Sequence, residues 1–187
     1  MAYKKINDVI YAEISEAKNS VGKTARIRLA GKQDIDVGDT IVVVQRQGSI
    51  KRYFPLLVSS IEYQTSDGIT SIEGKDLISQ IFDCMIPDMP DQSGEASAII
   101  KAVLTEANIR GYIDIYLNDN NISTTSVSYT KVNVSKIKLG ELFQDICKDT
   151  GFVMWVGYDE LNDKPNAFFF KPESDFEQIN TTLKEGV

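Results

Sequence analysis

The sequence has no histidine. A Ser-His-Asp triad, a Cys-His nucleophile pair and a His-ligated metal are therefore excluded. Cysteine is nearly as scarce. Cys84 and Cys147 stand far apart, and neither sits in a C-x-x-C. The expectation is two reduced, mostly buried thiols in a chain made in the cytoplasm, with a structural disulfide as the alternative. Long apolar runs are missing too. The longest hold about four residues, as at 41–44, whereas a membrane helix needs about 20. The opening Met1-Ala2-Tyr3-Lys4-Lys5-Ile6-Asn7-Asp8 has no apolar core of the kind a signal peptide carries. A soluble chain without a cleaved leader is expected. Nor is there a P-loop. Gly22-Lys23-Thr24 is like the end of one, but the residue five before Gly22 is Ala17, and the glycine-rich turn that cradles phosphate is missing.

What is present is ordinary globular material. The 187 residues are 42% hydrophobic and 25% charged, close to average usage. That length suffices for a sizeable core, as one large domain or two small ones. The net charge of −7 is unevenly spread. Residues 1–75 hold 11 basic and 9 acidic groups, whereas residues 76–187 hold 9 and 18.

The hydrophobic pattern changes at the same place. Ala25, Ile27 and Leu29 alternate with Thr24, Arg26 and Arg28, the period of a half-buried strand. The turn Asp36-Val37-Gly38-Asp39 leads into residues 40–44, expected to form a strand covered on both faces. Residues 53–63 make a long β segment, in which Pro55 lacks a ladder donor and belongs at an edge or bulge. Ser66-Asp67-Gly68 turns the chain into residues 69–73. Short strands punctuated by turns point to a small barrel or sandwich, taken here as an antiparallel barrel. Past Gly74 the period becomes helical. Leu77, Ile78, Ile81, Phe82 and Met85 mark a short helix capped by Asp76 and stopped by Pro87 and Pro90. Residues 88–94 read as a loop, with Ser93 capping a second helix. Its stripe is Ala96, Ile99, Ile100, Val103, Leu104 and Ala107. Residues 112–117 alternate as a strand, 118–121 turn, and 124–134 are polar and β-prone. A third helix at about 141–149 turns Leu142, Phe143 and Ile146 inward and ends at Gly151. Residues 152–158 and 167–171 pair as a hairpin. The fold class is thus α+β: an N-terminal antiparallel β-barrel at 1–75, an acidic α+β domain at 76–175, and an extension at 176–187.

Candidate chemistry is thin. Asp88/Asp91 and Asp159/Glu160/Asp163 are carboxylate clusters, and glycoside hydrolysis needs only two carboxylates. Each cluster lies in an expected turn, where aspartate bonds its own backbone. An EF-hand starting at Asp159 fails, because its sixth position is Lys164 and its seventh is Pro165. Lys23, Arg26, Arg28, Arg46, Lys51 and Arg52 form a basic stripe beside Tyr53 and Phe54, the make-up of a single-stranded nucleic-acid barrel. The acidic whole and the interspersed Asp34, Asp36 and Asp39 argue for a solvated face or a subunit contact. Trp155, Phe168, Phe169 and Phe170 read as core or interface rather than a ligand pocket. No cofactor and no metal is implied. A binding or structural module is favoured over an enzyme.

Two stretches carry a resemblance. The first is Gly68-Ile69-Thr70-Ser71-Ile72-Glu73-Gly74-Lys75-Asp76-Leu77. The second is Lys138-Leu139-Gly140-Glu141-Leu142-Phe143, followed by Thr150-Gly151-Phe152 and Phe170-Lys171-Pro172. Their order and spacing, over roughly residues 10–175, resemble the baseplate hub proteins of phage tails and related contractile injection systems. In this frame Gly74 turns the strand sharply, Asp76 caps the helix, Leu77 anchors it and Gly151 closes the third helix. The resemblance implies a structural subunit, not an enzyme, in a virion baseplate assembled in the bacterial cytoplasm. It implies a homo-oligomer, a trimer in that family, joining the tail tube protein to a spike or tail-tip protein. DNA would pass through the channel without specific binding, repelled by acidic side chains. Hub subunits usually hold two barrels, and only one is visible here. The ending Thr181-Thr182-Leu183-Lys184-Glu185-Gly186-Val187 looks like the lead-in to another β element. The candidate contact residues are Arg26, Arg28, Tyr53, Phe54 and Leu56. The rival readings are a wall-degrading tail lysin, with two carboxylates facing across a cleft, and the nucleic-acid barrel, with Tyr53 or Phe54 exposed beside Arg52.

Overall fold

A computed structural model describes residues 6, 9–15, 23–47, 49–135, 137–159 and 162–171. The alternation at 24–29 becomes strand β2 (Thr24–Ala30), with Ala25, Ile27 and Leu29 buried and the intervening residues exposed. Around it lie β1 (Val9–Ser15), β3 (Thr40–Gln47), β4 (Ile50–Gln64) and β5 (Ile69–Asp76). All pair antiparallel in the order β1-β2-β5-β4-β3. The sheet curls as a half-barrel. Closure, expected from the strand count, is not reached among the described residues, where β1 and β3 remain separate edges. Strand β3 pairs with residues 50–57 of β4, whereas β5 pairs with residues 56–64, so β3 is offset from β5 along β4. As an edge strand, β3 is covered less than expected: Thr40 and Ile41 are buried, but Val44 is 42% exposed.

Pro55 shows why a proline fits inside β4. The Val58 N–H bonds Asp39 O, so even-numbered residues here point their N–H groups toward β3. Pro55 therefore faces the β5 side, one position beyond the last β4–β5 pair, Leu56↔Asp76. No ladder bond is lost. The bulge itself lies at Ser59, where the register shifts between Val58 and Ser60. Gly74 does not turn the chain. It sits within β5, paired with Ala25 and Val58. A Cβ there would lie 3.3 Å from Leu56 Cβ and 3.4 Å from Leu57 O, so the glycine serves close packing under β4.

Strand β5 passes directly into helix α1 (Ile78–Asp83), with Asp76 Oδ1 accepting the Ile78 N–H at 3.1 Å. Residues 88–94 are not all loop: β6 (Gln92–Glu95) pairs with β7 (Ser128–Val132). Helix α2 (Ala96–Ile109) buries the whole expected stripe. Its cap is Glu95 rather than Ser93, because Glu95 has the extended backbone and accepts the Ala98 N–H at 3.3 Å. Residues 112–117 are not a strand. Tyr116 makes only an isolated bridge to Asn166, although Ile113 and Ile115 are buried. Helix α3 (Leu139–Thr150) buries Leu142, Phe143 and Ile146, and Gly151 closes it at φ 69° with its N–H on Cys147 O. Strands β8 (Val153–Asp159) and β9 (Lys164–Phe170) form the expected hairpin. Cys84 and Cys147 are unpaired, and burial pushes both thiols up, Cys147 to about 11.

The buried apolar side chains form two clusters. One lies on the inner face of the five-stranded sheet, built on Ile27, Leu29, Ile41, Leu56 and Ile72. The other joins the three helices to β8 and β9. Residues 176–187, including the 181–187 lead-in, fall outside the described residues.

Candidate assembly surface

The exposed residues of the sheet define the surface open to a partner. Edge strand β1 leaves Val9, Ile10 and Tyr11 exposed at 47, 58 and 49%. The Tyr11 hydroxyl donates to Glu13 Oε2 at 3.0 Å, and that bond to a carboxylate raises the phenol's pKa. Edge β1 was missed from sequence, although its β-branched and aromatic run Val9-Ile10-Tyr11 was a legible strand signal.

The five residues singled out from sequence occupy three settings. Arg26 and Arg28 lie on the outer face of β2. Arg26 meets Glu73 of β5 at 3.3 Å and is in register with Glu13 of β1, so carboxylates flank it on both sides. The Arg26–Glu73 pair is well exposed and adds little stability. Arg28 sits between Tyr11 and Ser71. Tyr53 and Phe54 are half-buried, not free. Tyr53 stacks on Tyr158 of β8 at 5.3 Å between ring centroids, and Lys23 Nζ lies 5.4 Å from the Phe54 ring. The exposed stacking platform that a single-strand-binding barrel needs is therefore taken up within the chain. Leu56 is 1% exposed and packs in the sheet's core, facing Gly74, so its side chain is not on the surface.

The carboxylate clusters serve turns and ion pairs. Asp91 meets Lys131 at 3.0 Å, and Asp159 accepts from the Asn162 side chain at 2.7 Å. Asp88 and Asp163 have positive φ, 59° and 52°. A surface pocket of about 360 Å³ lies between α2 and residues 114–117. It holds a single carboxylate, Asp114, with Lys164 opposite, and lacks the opposed pair that glycoside hydrolysis uses. Among the described residues no three His, Cys, Asp or Glu side chains gather as a metal site. Among them no helix is long and apolar enough to cross a membrane, which says nothing of a β-barrel span. The aromatic group of the hairpin is half-buried: Trp155 stacks on Phe168 at 5.3 Å and meets Phe170 edge-on at 4.2 Å. Phe169 is fully buried.

No protein-family model matches the chain, and no curated protein matches it. Solved structures do, among them two phage tail proteins. Prophage tail protein gp18 from Listeria monocytogenes EGD-e is 13% identical, with a TM-score of 0.53 over 89% of this chain and 46% of that one. The tail protein from Neisseria meningitidis MC58 is also 13% identical, with a TM-score of 0.49 over 83% of this chain and 44% of that one. The fold is thus like that of a phage tail protein, as the order of motifs implied. The chain spans less than half the length of either solved protein.

Proposed function

We propose that the chain is a structural subunit of a phage tail or injection-system baseplate hub. It joins the tail tube to the spike or tail tip through an oligomeric ring, and it breaks no bonds. The observation that carries this reading is the five-stranded sheet whose edges β1 and β3 have no further strand among the described residues, with Val9, Ile10 and Tyr11 exposed along one of them. An unpaired apolar edge invites another strand. Two different edges on one subunit permit head-to-tail contacts, which close into a ring when the rotation allows. On this reading residues 1–75 form a tube-like unit, residues 76–175 a second α+β unit, and residues 176–187 lead toward a further element. Arg26, Arg28 and Tyr11 then belong to the contact face, and DNA passes the ring unread. The subunit works in the virion tail after assembly in the bacterial cytoplasm. The test is the mass of the purified chain in solution by light scattering across protein concentration. A trimer or larger ring is expected. A monomer at every concentration overturns the reading.

A further inference from the structure

The two edges of the five-stranded sheet differ in the backbone groups they offer. The Asp76 N–H bonds Lys23 O and the Gly31 N–H bonds Gly68 O, so odd-numbered residues of β2 point their backbone groups at β5. Even-numbered residues point at β1, where Glu13 stands opposite Arg26 and Tyr11 opposite Arg28. Direction alternates along a strand, so Ala12 and Ile14 turn their N–H and C=O groups away from β2, toward the sheet edge. On the far side, the Val58 N–H bonds Asp39 O, so odd-numbered residues of β3 bond to β4. Val42, Val44 and Arg46 turn theirs outward. Among the described residues no strand takes up either set.

The side chains of the two sets lie on opposite faces. Ala12 and Ile14 stand opposite Ile27 and Ala25, which belong to the inner cluster. Ile41 belongs to that cluster and Val43 packs against it, so Val42, Val44 and Arg46 point to the outer face. In an antiparallel pair, residues that exchange bonds share a face. In a parallel pair, the residues that each strand turns toward its neighbour lie on opposite faces. Strands β1 and β3 therefore join with their inner faces on one side only as a parallel pair. Direction agrees. Five strands paired antiparallel throughout leave β1 and β3 running the same way. Rotation about an axis along the strands keeps that direction, so β1 of one copy meets β3 of the next in parallel.

Outer-face side chains choose the register. Setting Glu13 beside Arg46 joins opposite charges, both exposed. The same step lays Tyr11 beside Val44, exposed at 49 and 42%. A shift of two residues sets Glu13 against Val44 and Ser15 against Arg46, and both matches are lost. We infer that β1 of one copy pairs in parallel with β3 of a second copy, with Glu13 beside Arg46 and Tyr11 beside Val44. The inference rests on the reading of the chain as a self-assembling subunit, and it joins neighbouring half-barrels with their inner faces on one side.

The experiment is cysteine trapping on the whole chain under mild oxidation, read on non-reducing gels beside the solution mass. Neighbouring strands stand about 5 Å apart, within disulfide reach. The native Cys84 is buried and Cys147 half-buried, and the parent sets the baseline. Tyr11→Cys with Val44→Cys is expected to give a ladder of covalent dimers, trimers and higher forms, because each copy joins two neighbours. Either single variant is expected to stay at baseline. So is Tyr11→Cys with Lys75→Cys, because Lys75 is exposed but lies on β5, paired on both sides. Ala12→Pro is the second readout. Its N–H faces the sheet edge, so proline takes no bond from β2, and unchanged circular dichroism checks the fold. It is expected to weaken self-association about tenfold, the worth of one hydrogen bond. Unchanged association of Ala12→Pro overturns the inference. Trapping through Tyr11→Cys alone marks a two-fold β1–β1 contact and overturns it, and equal trapping through Lys75→Cys marks mere collision and does the same. If the double variant assembles by mass but gives no ladder, the parallel seam is wrong and the ring reading stands. A parent that stays monomeric at every concentration overturns both.

Discussion

Glu95 ties three pieces of chain together. Its carboxylate accepts the Ala98 N–H at the start of α2, the Thr125 N–H at 2.6 Å and the Ser97 and Thr125 hydroxyls. Burial alone raises its pKa, but the bonds from Ser97 and Thr125 outweigh burial and bring it to about 2. A depressed carboxylate stabilises the fold above its unfolded pKa, and that share is lost as pH falls toward the folded value. The window here runs from about 4.5 down to about 2. Glu95→Gln should therefore destabilise the chain at pH 7 by about 1–2 kcal/mol. It should also flatten the acid limb of a denaturation-midpoint profile, and an unchanged limb would show that Glu95 is not the titrating cap. Asn166 is the reverse case. It is 0% exposed, and both side-chain amide atoms lack a hydrogen-bond partner among the described residues. Leucine has the same branching without the polar atoms. Asn166→Leu should raise stability by about 1–3 kcal/mol. A fall in the urea midpoint instead would show that water or another chain satisfies the amide in solution. Neither residue stood out in the sequence: Ser93 is the commoner capping type and stands just ahead of Glu95, and an asparagine before Ala-Phe-Phe-Phe gives no sign of burial.

Among the elements, the helices were the most legible, because a 3.6-residue stripe such as Ala96 to Ala107 reports burial directly. Gly151 was legible for the same kind of reason, as a left-handed residue closing α3. Residues 112–117 misled because alternation reports burial, not pairing. Ile113 and Ile115 are buried against the second cluster while the backbone bonds elsewhere. Gly74 misled because glycine marks close approach as often as a turn. The same ambiguity gives Gly140 its role. A Cβ there would lie 2.8 Å from Phe82 Cβ and 2.9 Å from Phe82 O, so α3 rides directly on α1. Alanine is worth about 1 kcal/mol over glycine within a helix. Against rigid backbone the clash is larger. Gly140→Ala should lower stability by roughly 1–3 kcal/mol, whereas Gln144→Ala, on the exposed face of α3, should not. Equal melting temperatures for the two variants would contradict the close packing.

For the whole molecule, charge and hydrophobic period both change near residue 75, and the buried side chains fall into one cluster up to Ile72 and another from Leu77 onward. That β1 and β3 stay apart among the described residues was not legible, because strand count does not say which edges meet, and the offset of β3 against β5 arises only from pairing. Surface exposure was the least legible part. Charge and aromatic type drew attention to Arg26 and Tyr53, but solvent access depends on which sheet face or strand edge a side chain reaches. Between the end of β5 and the start of α1 stands a single residue, Leu77, itself 1% exposed and packed with the helices. Asp76 ends β5 and holds the first turn of α1. A strand that becomes a helix after one buried residue leaves no loop between them, so the direction in which β5 leaves the sheet sets the direction in which α1 starts.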